Sequence, residues 1–116
     1  MAYTVSRAGR TIWWPVSIRI PMDGGKVETF EMEMQLVVPT KSQAREAVKL
    51  DEAAFEQYML DRVKDWRNEV LLDEETGAPI PYSRENLQAL LEHGWFEVSL
   101  SRALAQANAG VAAAKN

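Results

Sequence analysis

Few side chains in this 116-residue chain are of the types that do chemistry, and their spacing limits what they can do. His93 is the single histidine, and cysteine is absent. Without cysteine there is no disulfide and no thiolate ligand. One histidine supplies one donor where a protein zinc site takes three or four. Placed just ahead of Gly94, it reads as a cation favoured by the C-terminal end of a helix. Asp73, Glu74 and Glu75 run together ahead of Gly77, the pattern of a solvated turn, while Glu31 and Glu33 alternate on one side of a strand. General acid–base work needs a carboxyl held in a pocket with a shifted pKa, and neither set has that setting. Ser83 stands where a helix cap belongs. Ser99 and Ser101 lie on a helix with only His93 nearby in sequence. No G-x-S-x-G or phosphate-loop pattern occurs. Gly24-Gly25 is followed by a strand, whereas a phosphate cradle opens a helix. The expectation is therefore no catalytic residue, no metal, no cofactor and no enzyme.

The aromatic residues point instead to contact. Trp13 and Trp14 are adjacent, so on a strand they face opposite ways. Trp14 joins an apolar face. Trp13 falls on the polar one, where it is expected to pair across the hairpin with Val37. A helix or a partner could cover that small apolar patch, and Trp13 and Val37 are the candidate protein-interaction residues. Met32, Met34 and Met59 read as core filler, with an adaptable binding surface as the other option.

The elements that must position these side chains follow from periodicity. Residues 1–11 are polar and patternless, a mobile lead-in. Ile12, Trp14, Val16, Ile18 and Ile20 alternate, as do Phe30, Met32, Met34, Leu36 and Val38, with Asp23-Gly24-Gly25 between them. This predicts an antiparallel β-hairpin over 12–38. Pairing Ile20 with Phe30 places every apolar side chain on one face and Arg19 opposite Glu31. A one-residue slip would invert the faces, so the loop has an odd length, three or five residues. Such a hairpin leaves two strand edges open and needs cover on its apolar face.

Residues 42–109 read as helical. A short helix over 42–49 is expected to be capped by Ser42. A second is capped by Asp51, with Leu50 stapling onto Phe55, and its stripe of Phe55, Tyr58, Met59, Val63 and Trp66 carries it to Trp66–Asn68. Ser83 opens the next, with Tyr82 and Leu87 as a staple, Leu87, Leu90 and Leu91 buried and Gly94 as its stop. The last covers 95–109, shows Phe96, Leu100, Ala103, Leu104 and Ala107 on one face, and ends at Gly110; residues 110–116 fray. The fold class is α+β, a single domain with an N-terminal antiparallel β-hairpin packed on three to four α-helices.

Composition narrows the partners. The net charge is −4, with no basic cluster to hold a phosphate backbone, so no nucleic acid is expected. No apolar run approaches the length of a membrane span, and the first residues lack the apolar core of a signal peptide.

One ordered set of weak motifs goes further. Val63–Leu87 runs from an aromatic helix end at Trp66 through an acidic turn closed by Gly77. Pro79-Ile80-Pro81, then Tyr82-Ser83, lead into a leucine-rich helix. Upstream lie Trp14-Pro15-Val16 to Pro21-Met22-Asp23-Gly24-Gly25 and the strand Phe30–Met34; Lys115-Asn116 closes the chain. This order resembles the tail assembly chaperones of long-tailed bacteriophages, across about two thirds of the chain. The stretch from Asn68 to Thr76 is longer than the compact turn usual there. The resemblance implies a non-enzymatic protein of the bacterial host cytoplasm that binds and solubilises the tape measure protein and helps recruit tail tube protein. It implies absence from the mature virion. A homo-oligomer through the hairpin edges is a further expectation. The alternative is a small structural tail protein, present in purified particles.

Overall fold

The computed structural model describes residues 1–5, 7 and 9–111. Two long strands, β1 (Arg10–Pro21) and β2 (Val27–Val38), form the expected N-terminal hairpin. A 3-10 turn at Asp23–Gly25 joins them, closed by the Met22 N–H donating to the Lys26 carbonyl at 2.8 Å. Gly24 and Gly25 both have φ of +76°, a conformation that side chains disfavour, which is why two glycines sit there.

That turn corrects the register. Ile18, not Ile20, lies opposite Phe30, and Val16 faces Met32, Trp14 faces Met34 and Ile12 faces Leu36. Arg19 faces Thr29 rather than Glu31. The turn is centred on Gly24, one residue earlier than the expected pairing requires, which moves every pair by two. An even shift preserves the faces. Val16, Ile18, Met32, Met34 and Leu36 are all buried.

Four helices follow: α1 (Lys41–Ala47), α2 (Glu52–Arg62), α3 (Arg84–Leu91) and α4 (Gly94–Ala109). Asp51 caps α2 by accepting the Ala54 N–H, and Ser83 caps α3 by accepting the Asn86 N–H. The cap of α1 is Thr40, not Ser42. Its hydroxyl accepts the Gln43 N–H, and the Gln43 side chain accepts the Thr40 N–H in return. Gly94 is not a stop but the first residue of α4, with His93 as the cap residue. Gly110 ends α4 at φ +74°. The fraying expected for 110–116 lies, beyond Val111, outside the described residues.

The larger correction is a third strand. The helix expected to reach Trp66 stops at Arg62, and Val63–Arg67 forms β3 antiparallel to β2, giving the sheet order β1-β2-β3. Leu36 pairs with Val63, Gln35 with Asp65 and Met34 with Trp66, leaving Lys64 as the extra residue of a β-bulge. The bulge brings Val63 and Trp66, three residues apart, onto the same buried face. Three-residue spacing also marks one face of a helix, and the two conformations share this signature.

Helix α4 packs on β1, α2 on β2 and β3, and α3 against both α2 and α4. One sheet face and the helices α2, α3 and α4 enclose a core in which Phe96, Leu87, Leu100, Met59 and Leu36 are nearly or fully buried. Among the described residues Ser99 is the one buried polar side chain. Its hydroxyl accepts the Arg19 N–H at 3.1 Å and donates to the Trp95 carbonyl at 2.7 Å, tying α4 to β1. In an unbroken antiparallel strand, alternate N–H groups point the same way. Pro15 and Pro21 share the parity of Arg19, so both prolines sit where β1 needs no donor toward β2. The β1 edge is thereby blunted. β3 covers the other side of β2, but only over Glu33–Leu36.

Candidate protein-interaction sites

Trp13 and Val37 lie on the sheet face away from the helices, both half-buried. They are not a cross-strand pair: Trp13 faces Gln35 and Val37 faces Thr11. The cover over Trp13 comes from β3. The Arg67 guanidinium stands 4.1 Å above the centre of its ring and also reaches Glu33 Oε2 at 3.4 Å. Glu33 and Arg67 are register partners, so the ladder delivers the cation to this face. Such a stack at an exposed site contributes about 0.5–1 kcal/mol. The sequence reading of Val63–Trp66 as helix hid this neighbour.

A second site lies among the helices. α1 is short and has no extensive contact with any other element. Its last residue, Ala47, is buried, but Val48 and Leu50 just beyond are exposed. On one side of Ala47 a groove of about 260 Å³ opens between α1, α2 and α4, with Val48, Phe55, Tyr58, Met59 and Leu104 among its walls. On the other side a groove of about 340 Å³ runs between α1 and the end of α2, bordered by Leu50, Tyr58 and Arg62. Phe55, Tyr58, Met59 and Arg62 occupy positions i, i+3, i+4 and i+7, one face of α2. The Phe55 and Tyr58 rings stack at 6.0 Å, and the Arg62 guanidinium lies 4.8 Å over Tyr58. Burial pushes the Tyr58 hydroxyl above its ordinary pKa, partly opposed by the positive charge of Arg62. The sequence signal for this site was the α2 stripe, read as core; the structure leaves part of that stripe open because α1 covers it loosely.

The remaining polar residues have local duties. Asp73 caps its own turn, its carboxylate accepting the Glu75 and Thr76 N–H groups, and Gly77 closes that turn. Asn68, which carried no sequence signal, organises the segment behind it. Its amide donates to the Leu71 and Ile80 carbonyls, and its oxygen accepts the Val70 and Leu71 N–H groups. His93 stacks on Trp95 at 5.1 Å and joins two helices, its N–H donating to the Leu90 carbonyl at the end of α3 while it stands as the cap residue of α4. Among the described residues, no three of His, Asp or Glu gather as a metal site, and no helix is long and apolar enough to cross a membrane. Comparison with known protein families, characterised proteins and solved structures yields no match.

Proposed function

We propose that this chain is a tail assembly chaperone of a long-tailed bacteriophage. In this reading it binds the tape measure protein in the host cytoplasm, keeps it soluble, helps recruit tail tube protein and is left out of the virion. The ordered resemblance across Trp14–Met34 and Val63–Leu87 supports this reading. The physical observation that carries it is the apolar groove among α1, α2 and α4. A long amphipathic helix in solution needs its apolar stripe covered, and a groove walled by Val48, Phe55, Met59 and Leu104 offers apolar surface to it. The loose seating of α1 gives the groove room to adapt. A net charge of −4 helps keep the complex soluble. Binding by apolar burial survives moderate salt, because screening weakens exposed charge pairs far more than buried apolar contact.

The test is co-expression of the tape measure protein with and without this chain. The expected outcome is a tape measure protein that is soluble and co-purifies only when the chain is present, in moderate salt. Equal solubility in both cases, with no co-purification, removes the chaperone reading and puts the structural tail protein ahead.

A further inference from the structure

We infer that the groove between α1 and the last turn of α2 docks an apolar protein segment carrying a carboxylate, with Arg62 as the anchor for that acid. The inference names the kind of segment selected at the proposed client surface, and it rests on that reading. Among the described residues Arg62 and Arg102 are the two arginines that hold a buried guanidinium nitrogen without an acceptor, and Arg62 is the one that borders this groove. Its Nε is buried without an acceptor. Among the described residues it forms no ion pair, whereas Arg67 holds Glu33 and Arg84 holds Asp61 at 3.2 Å. Its stack over the Tyr58 ring, 4.8 Å from the centre, places the guanidinium at the groove. Its two terminal nitrogens are not among the buried atoms and hold no acceptor among the described residues, and such a guanidinium fork matches the two oxygens of a carboxylate.

The surroundings favour the same ligand. The chain is acidic overall, yet residues 41–50 carry Lys41, Arg45 and Lys49 against the single acid Glu46. Glu46, the one carboxylate bordering the groove, is already paired with Lys49 at 3.3 Å. Asp51, which follows this segment, caps α2, and Asp61, the residue before Arg62, holds Arg84. Leu50, 43% exposed, and the Tyr58 ring supply apolar surface beside the cation. Tyr58 borders both grooves, and Arg62 follows it by one turn of α2, about 6 Å along the axis. A segment whose apolar side chain rests on Tyr58 therefore meets Arg62 with an acid one helical turn further on.

The experiment measures fluorescence anisotropy with two labelled, alanine-based helical peptides of roughly 16 residues. Each carries two leucines one turn apart. One peptide has Glu a further turn along, and its twin has Gln there. The Glu peptide is expected to bind the intact protein about tenfold more tightly than the Gln peptide. Arg62→Gln should abolish that difference and leave the Gln peptide's affinity unchanged, and Arg62→Lys should keep part of it. Leu50→Asp, at an exposed side chain, should weaken the Glu peptide by placing like charge beside its acid. Equal binding of the two peptides to the wild type overturns the inference. So does a preference that survives Arg62→Gln, an unchanged Glu-peptide affinity in Leu50→Asp, or no binding of either peptide at millimolar concentration. A tape measure protein that is soluble alone, together with an Arg62-dependent Glu preference, removes the chaperone reading and leaves this surface standing.

Discussion

Ser83 and Ser99 are both helix serines with satisfied hydroxyls, yet their removal should cost different amounts. Ser83 is a cap whose lost bond to the Asn86 N–H can be replaced in part by water, so Ser83→Ala should cost about 1 kcal/mol. Ser99 lies between α4 and β1, and Ser99→Ala leaves the Arg19 N–H without its acceptor. Its expected cost is larger, about 2 kcal/mol. Urea denaturation of the two variants measures the difference, and equal costs would mean that water reaches Arg19. Tyr58 gives a pH signature. Its folded pKa is raised above the ordinary value of 10.0, so folding favours the protonated phenol. The folded state then binds more protons than the unfolded state once pH passes 10.0, and stability falls as pH rises from there. Tyr58→Phe should flatten this alkaline loss in melts followed from neutral pH upward. An identical loss in both proteins would assign it to other groups.

At the scale of elements, the junction of α2 and β3 carries the main lesson. No loop separates them: Arg62 ends the helix, and Val63 is already extended at φ −114° and ψ 127°. Phe55, Tyr58, Met59, Val63 and Trp66 fit a helical stripe, and all but the last two lie on one. What holds Val63–Arg67 as a strand is remote in sequence. Trp66 Nε1 donates to the Ile80 carbonyl at 3.0 Å, its ring meets Tyr82 edge-on at 5.1 Å, and the Tyr82 hydroxyl donates to the Val63 carbonyl at 3.0 Å. The bulge at Lys64 reconciles strand geometry with two inward side chains. Deleting Lys64 should turn either Val63 or Trp66 out of the core and cost roughly 2–5 kcal/mol, as for a large core truncation. Lys64→Ala, which keeps the residue count, should be close to neutral. Chemical denaturation of the pair checks this, and equal stability would show that the bulge relocates.

The molecule as a whole is one layer of helices on one face of a three-stranded sheet, with no helix on the other face among the described residues. Self-association through the hairpin now has a narrower location. β1 is blunted by Pro15 and by the Arg19–Ser99 bond, and β3 covers Glu33–Leu36. The span from Val27 to Met32 has no neighbour on that side among the described residues. Unpaired edges of this kind favour pairing with a second chain. Oligomers are therefore expected at high concentration, with the open face of Trp13 near the contact. Trp13→Asp should shift sedimentation velocity toward monomer without unfolding the domain, since an aspartate there can still pair with Arg67. An oligomer unchanged in that variant would move the contact to the helices, where the α1 grooves offer apolar surface.

Local pattern was enough to determine the hairpin and its two faces, the caps at Asp51 and Ser83, the buried faces of α3 and α4 and the stop at Gly110. Each depends on side chains a few residues apart, where periodicity and hydrogen bonding to the nearby backbone decide the outcome. The absence of cysteine and the single histidine likewise bounded the available chemistry. Tertiary structure alone decided three things. The register turned on which glycine centred the turn, because both choices keep the same faces. The strand at Val63–Arg67 depended on Ile80 and Tyr82, because the spacing of its buried residues is shared by a helix and a bulged strand. The cover of Trp13 by Arg67, and the open grooves beside α1, arise where segments distant in sequence meet or fail to meet. Nothing in the spacing along the chain records those encounters.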